Sequence, residues 1–174
     1  MFKDCWNNPN YDVWIEKLKE HPPLLTTKHG QLLYELIGMV DGYDKKLLDL
    51  GCGKAEISSL VKAQYTGADL PNVIRNVSKK FNSELDYMYI DITTHKGYLL
   101  EGFDIIVMNA FIDVMKDPLK ILDKVLNIAE NYVILHRQHF TGNETHVEKR
   151  HSYGKETYHS IINTDDFIML LVKY

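Results

Sequence analysis

A loop with two glycines directly follows a short apolar run, and this pattern is typical of a nucleotide-type ligand site. Residues 46–55 read Lys-Leu-Leu-Asp-Leu-Gly-Cys-Gly-Lys-Ala. The three leucines predict a strand in a covered sheet. Gly51 and Gly53 permit backbone torsions and close ligand approach that a side chain would block. Apolar residues at helical spacing over 57–61 predict a helix after the loop, although a plain strand–turn–helix with no ligand is also possible.

The charges in and around this loop indicate which ligand it would bind. A dinucleotide-binding loop reads Gly-x-Gly-x-x-Gly and holds a pyrophosphate at a helix N-terminus. Here Glu56 stands at the third glycine of that pattern. Because Asp49 and Glu56 would both repel a pyrophosphate, the loop favours a ligand with cationic groups and no phosphate.

The stretch resembles the first motif of the class I (Rossmann-like) methyltransferases, which reads acidic-x-Gly-x-Gly-x-Gly. Asp49, Gly51 and Gly53 match it, and Ala55 replaces the third glycine. The resemblance implies S-adenosylmethionine as cofactor, since it carries a sulfonium and an ammonium. It also implies that Asp49, Gly51, Cys52 and Gly53 bind this cofactor.

Two further carboxylates follow predicted strands. Asp69 closes the segment 65–70, lies 18 residues after Gly51 and is expected, with Leu70, at the ribose. A carboxylate can accept from both ribose hydroxyls, although Asp69 also suits a helix cap before a proline. Asp91, with Ile92, ends a predicted third strand at 87–92. The resemblance places Asp91 at the adenine amino group, whereas a turn residue is the alternative.

The order of predicted elements indicates an α/β fold. Segments 103–109 and 132–135 predict fourth and fifth strands, and helical patterns alternate with the strands. We therefore expect a three-layer, doubly wound, mostly parallel sheet of the Rossmann-like methyltransferase type. Such sheets bind ligands beyond the carboxyl ends of their strands. Asn109 and Ala110, at the end of the fourth strand, are expected to complete the cofactor site.

The acceptor side is expected after the fifth strand. His136 and Arg137 lie at the end of that strand, and His159 follows in a polar segment. An arginine can bind a carboxylate or phosphate of the acceptor, and a histidine can take a proton near neutral pH. These three residues are the predicted catalytic residues, with a hydrophilic surface loop as the alternative. Five of the eight histidines lie in 136–159 without a standard zinc spacing, so no metal is expected.

The end of the chain allows two interpretations. The resembling family closes its sheet with an antiparallel hairpin after strand five. Thr164 can cap a helix over 165–172, which is favoured, so that the hairpin would be missing or atypical. Alternatively, 157–162 and 167–174 are the two strands of that hairpin. An open sheet edge would favour a partner subunit, and a homodimer is therefore possible.

Residues 1–174 are expected to form a single domain. It would comprise a helical cap over 1–45, a cofactor-binding core over 46–138 and an acceptor-side segment over 139–174. In the resembling family, N-terminal helices cover the methionine end of the cofactor. The candidate lid residues are Trp6, Tyr11, Trp14 and His29. Alternatively, the tryptophans only anchor these helices to the core.

The composition is that of an ordinary globular protein, with a net charge of −4 and 45% hydrophobic residues. This charge disfavours a nucleic-acid partner, and no apolar run approaches a membrane span. Cys5 and Cys52 form no spaced pair, which favours a reduced, cytoplasmic setting.

The expected function is S-adenosylmethionine-dependent methyl transfer to a small-molecule or sugar acceptor, on oxygen or nitrogen. The segment 109–112 lacks the Asn/Asp-Pro-Pro-aromatic signature that is typical of adenine and glutamine N-methyltransferases. Two alternatives remain. One is a non-catalytic protein that binds S-adenosylmethionine or S-adenosylhomocysteine on the same fold, and the other is a dinucleotide-dependent oxidoreductase.

Overall fold

The computed structural model describes residues 10–62, 64–94, 100–152 and 155–174. Trp6 and Cys5 lie outside the described residues. The central sheet has five strands in the order β3-β2-β1-β4-β5, and every pairing between neighbours is parallel. These strands are β1 Leu47–Leu50, β2 Tyr65–Asp69, β3 Asp86–Tyr89, β4 Ile105–Asn109 and β5 Tyr132–His136. The predicted doubly wound, mostly parallel α/β fold is confirmed.

Alternating side chains of the central strands bury both faces of the sheet. Leu48 and Leu50 of β1 belong to one apolar cluster, whereas Leu47 belongs to a second. In β4, Ile106 joins the first cluster and Ile105 the second. Because successive side chains of a strand point to opposite faces, this separation shows that apolar layers cover both sides.

The helices supply those layers. They are α1 Tyr11–Glu20, α2 Lys28–Met39, α3 Pro118–Leu126 and α4 Thr164–Leu171, and a helical segment with a π-helical centre at Ile74–Ser78 connects β2 to β3. Thr27 is the N-cap of helix α2, and its hydroxyl accepts a hydrogen bond from the Gly30 amide at 3.0 Å. Its Leu33 and Ile37 are fully buried in the second cluster. None of the described helices is long and apolar enough to cross a membrane.

Two local predictions need correction. The helix after the glycine loop is a short 3₁₀ helix, Glu56–Leu60, because the chain must turn into β2 at Tyr65 soon afterwards. The third strand ends at Tyr89 rather than residue 92. Ile90 and Ile92 are nevertheless buried in the first apolar cluster, which explains why their apolar pattern resembles a continued strand.

The end of the chain combines parts of both interpretations. Helix α4 is present, so the favoured prediction is confirmed, but its cap is Asn163 rather than Thr164. The Asn163 side chain accepts from the Asp166 amide at 2.8 Å. Residues 157–162 also belong to a strand, Lys155–Asn163.

This strand belongs to a second sheet that the sequence did not predict. It has the order β6-β8-β7, with β6 at His139–Thr141, β7 at His146–Ser152 and β8 at Lys155–Asn163. Strands β7 and β8 are antiparallel. They form a hairpin that pairs within this sheet rather than extending the central one.

Candidate active site

A cavity of about 450 Å³ lies beyond the carboxyl ends of β1, β2 and β4. Its wall combines the glycine loop, the chain after β3 and β4, part of α1 and the second sheet. Most of the predicted site residues contribute to this wall: Gly51, Cys52, Gly53, Asp69, Leu70, Asp91, Ile92, Asn109, Ala110, Arg137 and His159. Asp49 and His136 do not. The volume falls in the range of small-molecule sites.

The glycine loop owes its shape to close packing on the chain after β4. Gly51 has φ +82°, and a Cβ atom there would lie 2.1 Å from Phe111 Cδ2. Gly53 has φ +51° but faces open space. Gly51 is therefore required by torsion and by contact, whereas Gly53 is required by torsion alone. The amides of Gly51 and Cys52 both donate to the Ala68 carbonyl, at 2.8 and 3.1 Å.

Two side chains from the segment between β2 and β3 fasten this loop. Ser78 Oγ donates to the Gly53 carbonyl at 2.5 Å, and Asn82 Nδ2 donates to the Lys54 carbonyl at 2.8 Å. Ser78 is fully buried. Sequence reasoning missed both residues, because no local pattern marks a side chain that bonds to a backbone so distant in the chain. Burial raises the pKa of the neighbouring Cys52 thiol, so this thiol stays neutral.

Asp69 is the best-defined carboxylate of the cavity. Its Oδ2 accepts from the Gly53 amide at 3.0 Å, and its Oδ1 accepts from the Leu70 amide at 2.7 Å. Burial raises its pKa to about 6, against the opposing effect of these two amides. The carboxylate is therefore mainly ionised near pH 7. Each oxygen keeps acceptor capacity for a hydroxyl group in the cavity.

Asp91 has features of both of its predicted roles. Its Oδ1 accepts from the Thr93 amide at 3.1 Å, which is the side-chain-to-backbone bond of a turn. Asp91 also lines the cavity with its neighbour Ile92. The turn thus holds the carboxylate at the cavity wall.

Asp49 lies elsewhere than predicted. Strand alternation puts its side chain on the same face as Leu47, away from Leu50, which lines the cavity. Asp49 is 2% exposed, and its Oδ2 accepts from the Tyr65 hydroxyl at 2.7 Å. Burial raises its pKa to about 7, and the charges of Asp69 and Glu56 raise it further against the Tyr65 hydrogen bond. The Asp49 side chain is thus bound to Tyr65 of β2 and does not line the cavity.

His136 is also buried beneath the cavity wall. Its Nδ1 lies 3.0 Å from Asn109 Oδ1, and its ring stacks on His29 at 6.1 Å between centroids. Burial, with a smaller effect of His29 and Arg137, lowers its pKa to about 4. A hydrogen bond with the His29 backbone acts on this pKa in the opposite direction. The structure therefore places His136 beside Asn109 and outside the cavity wall, where it makes no direct approach to an acceptor in the cavity.

A second part of the cavity wall is formed by charged and aromatic side chains. Arg137 follows β5 with φ +60°, an uncommon torsion for a residue with a side chain. The second sheet adds a further group: Arg150, His151, Thr157, Tyr158 and His159. Residues far apart in the chain therefore meet Arg137 across one space.

His159 lies in this wall as a neutral base. Its Nδ1 is 3.5 Å from Glu148 Oε1, and its ring tilts against that of His139 at 5.0 Å. Burial lowers its pKa first, and the cation Arg150 lowers it further, while Glu148 and Asp113 act in the opposite direction.

Asp113 is a site residue that sequence reasoning missed. It lies in the 3₁₀ turn Ile112–Val114 after β4 and lines the cavity. Its Oδ1 is buried and has no hydrogen-bond partner among the described residues. Burial raises its pKa, while His139, Arg137 and His159 lower it. A carboxylate shortly after the end of a parallel strand was the available signal.

Helix α1 closes one side of the cavity through Trp14 and Leu18. Trp14 is only 7% exposed and packs with Leu70 and Val73, so it both anchors the helix and lines the cavity. The other two described lid candidates are not in the wall. Tyr11 stacks against Trp14 at 6.3 Å, and His29 stacks on His136.

Lys54 links the glycine loop to helix α1. Its Nζ donates to the Leu18 carbonyl at 2.9 Å and forms an ion pair with Glu56 at 2.9 Å. The charge of Glu56 is therefore compensated within the cavity wall. Within 10–62, 64–94, 100–152 and 155–174, no group of three or more His, Cys, Asp or Glu side chains could hold a metal ion.

Comparison with solved structures identifies methyltransferases of the same fold. The sugar N-methyltransferase KedS8 from Streptoalloteichus is 10% identical, with a TM-score of 0.65 over 94% of this chain and 83% of that chain. DesVI from Streptomyces venezuelae is 12% identical, with a TM-score of 0.64 over 93% and 88%. The magnesium protoporphyrin IX methyltransferase ChlM from Synechocystis, with bound S-adenosylmethionine, is 13% identical, with a TM-score of 0.58 over 91% and 92%. At these identities the likeness shows the fold alone.

Comparison of sequences is more specific. No curated protein matches the chain significantly. A family model does match, over residues 33–143, and it is described as methionine biosynthesis protein MetW. This match begins within helix α2, includes all five strands of the central sheet and β6 of the second sheet, and covers more than half of the chain. The chain therefore belongs to the MetW family.

Proposed function

We propose that this protein transfers a methyl group from S-adenosylmethionine to a small-molecule or sugar acceptor. The observation that carries the proposal is the Asp69 carboxylate, which two backbone amides fix at the glycine loop. It faces a cavity in which a second part of the wall is polar and charged. One side of the cavity thus suits a nucleoside, and the other suits a second molecule.

The described residues fit the cofactor. Asp69 would accept from the ribose hydroxyls, and Asp91 with Ile92 would border the adenine. The backbone of 51–53 would approach the methionine end, with Asn109 and Ala110 beside it. The negative charges that favour a sulfonium are Asp69, Asp91 and Asp113. Asp49 lies outside the cavity wall and Glu56 is paired with Lys54, so neither charge contributes to this preference.

The bound cofactor would supply a methyl group activated by its sulfonium. The protein's task is to hold the acceptor in line with that group and to exclude water. Trp14 and Leu18 cover the cavity on one side. On the acceptor wall, Arg137 would bind an anionic group, and the neutral His159 would take a proton.

The neighbouring structures support this assignment of class. KedS8 is described as a sugar N-methyltransferase, and ChlM was solved with S-adenosylmethionine. A cytoplasmic location fits the buried free thiol of Cys52. A homodimer remains a proposal and is tested by measuring the mass in solution.

The test is transfer of a labelled methyl group. Purified protein and S-adenosylmethionine with a ¹³C-methyl group would be incubated with a small-molecule extract, and mass spectrometry would detect labelled products. We expect one product class that disappears with Asp69→Ala. S-adenosylhomocysteine binding without any labelled product would favour the non-catalytic alternative. Saturable binding of NAD instead would favour the oxidoreductase.

A further inference from the structure

The acceptor wall contains two opposite charges that do not pair with each other. Arg137 and Asp113 both line the cavity. Arg137 is near enough to lower the pKa of the Asp113 carboxyl. No ion pair joins them, although an arginine and a carboxylate that meet freely form strong bidentate bonds. The cavity therefore keeps a cation and an anion apart.

One oxygen of the Asp113 carboxylate lacks a donor, although the residue's own backbone amide hydrogen-bonds the carboxylate. Its buried Oδ1 accepts no hydrogen bond in the part of the chain that the structure describes. A buried acceptor without a donor costs about 1–3 kcal/mol. A ligand hydroxyl or amine in the cavity would remove this cost.

The Arg137 guanidinium differs from the other arginine of the wall. Arg150 makes two contacts with Glu148 Oε1, at 2.6 Å from Nε and 2.5 Å from the terminal nitrogen. Arg137 forms no hydrogen bond or ion pair with any described residue, and its side chain is exposed to the cavity. Arg137 is thus available to an anion, whereas the charge of Arg150 is already compensated.

We propose that the acceptor is a bipolar small molecule. Its carboxylate or phosphate binds Arg137, and its amine or hydroxyl donates a hydrogen bond to Asp113. The inference rests on the proposed function, because it concerns the acceptor of that reaction. It makes the proposed function more specific: a neutral sugar could donate a hydroxyl to Asp113 but would offer no anion to Arg137, and an apolar acceptor would contact neither charge.

The test uses a bipolar probe and its two halves. The full chain, saturated with S-adenosylhomocysteine, is titrated by NMR with phosphoethanolamine, inorganic phosphate and ethanolamine. We expect phosphoethanolamine to bind about tenfold more tightly than either half, because the cavity contacts both ends. Binding of all three at equal strength, or of none, would overturn the proposal.

Three variants assign the contacts. Arg137→Gln is expected to weaken the binding of phosphoethanolamine and of phosphate about tenfold each. Asp113→Ala should weaken phosphoethanolamine about tenfold and leave phosphate unchanged. Arg150→Gln is the matched control and should change neither by more than about twofold, since Glu148 already pairs with that arginine. Unchanged binding in the first two variants would refute the assigned contacts.

Titration with S-adenosylhomocysteine separates this proposal from the proposed function. Arg137→Gln and Arg150→Gln should bind it as tightly as the parent, and thermal melting confirms that all three variants fold. If the parent does not bind it, the proposed function fails, and the bipolar comparison is then made on the protein alone.

Discussion

The two walls of the cavity are built in opposite ways. The donor wall is the part formed by the glycine loop, Asp69 and Asp91, where we propose that the cofactor binds. There the backbone positions the side chain: the amides of Gly53 and Leu70 fix Asp69. On the acceptor wall, side chains from distant elements meet. Among the described residues, Asp113 Oδ1 has no hydrogen-bond donor and Arg137 has no ion-pair partner. Backbone geometry that belongs to the fold therefore sets the donor wall, whereas the acceptor wall is set by this chain's own side chains.

The largest expected effect tests the rigidity of the donor wall. Gly51→Ala forces a Cβ to within 2.1 Å of Phe111 Cδ2 at φ +82°. We expect a loss of about 2–4 kcal/mol in the free energy of unfolding and at least about 100-fold weaker binding of S-adenosylhomocysteine. Urea denaturation and calorimetry measure the two effects.

Gly53→Ala is the matched control for that variant. Its torsion is also left-handed, but nothing lies within 4 Å of the added Cβ. The cost should be only about 1–2 kcal/mol. Equal costs for the two variants would show that packing on Phe111 does not shape the loop.

Asp69 tests the donor wall next. Asp69→Ala removes the hydrogen-bond acceptor for the ribose hydroxyls and should weaken the binding of S-adenosylhomocysteine about 30- to 100-fold. Asp86→Ala, an exposed carboxylate at the start of β3, should have no effect. Because the pKa of Asp69 is about 6, affinity in the parent should also fall as the pH is lowered through that value. Affinity that is independent of pH between 5 and 8 would contradict this role.

Substitution of Asp49 distinguishes an effect on stability from an effect on ligand binding. Its pKa is raised to about 7, so the native state holds a proton that the unfolded chain has already lost. Its favourable contribution is present below about pH 4 and is lost as the pH rises towards 7. Asp49→Asn keeps an acceptor for the Tyr65 hydroxyl. It should be about 1–3 kcal/mol more stable than the parent at pH 8, and close to it at pH 4.

Denaturation at several pH values measures the stability difference for Asp49→Asn, and calorimetry adds a second readout. Because Asp49 does not line the cavity, affinity for S-adenosylhomocysteine should change by less than about threefold. A loss of affinity as large as that of Asp69→Ala would show that Asp49 takes part in binding the ligand.

The smallest effect concerns the fastening of the loop. Ser78→Ala leaves the Gly53 carbonyl without its side-chain donor and should cost about 1–2 kcal/mol in stability. Ser59, which is exposed and donates to the Glu56 carbonyl, provides the control. Ser59→Ala should cost less than about 0.5 kcal/mol. Similar costs for the two serines would mean that Ser78 does not hold the loop.

The sequence was sufficient to predict that the glycine loop and Asp69 meet at one edge of the sheet, because its signals are local. The apolar run and the glycines of 46–55 mark a strand and its loop, and Asp69 marks the end of the next strand. Since parallel strands end at one edge, these residues meet without further information. The exceptions, Asp49 and His136, lie at the correct edge but point beneath the wall.

The second sheet could not be predicted in the same way. Strand β7 reads His-Val-Glu-Lys-Arg-His-Ser and has no apolar alternation. Its strand character comes from pairing with β8, from His146 opposite Ile161 to Ser152 opposite Lys155. The proximity of Asp113 to His159 depends on that pairing and on the turn after β4. Tertiary contacts of this kind leave little local trace.

The most direct test of the account is calorimetric titration of the parent protein with S-adenosylhomocysteine and, separately, with NAD. We expect saturable one-to-one binding of S-adenosylhomocysteine that Asp69→Ala weakens, and no heat of binding with NAD. Saturation by NAD without binding of S-adenosylhomocysteine would contradict it.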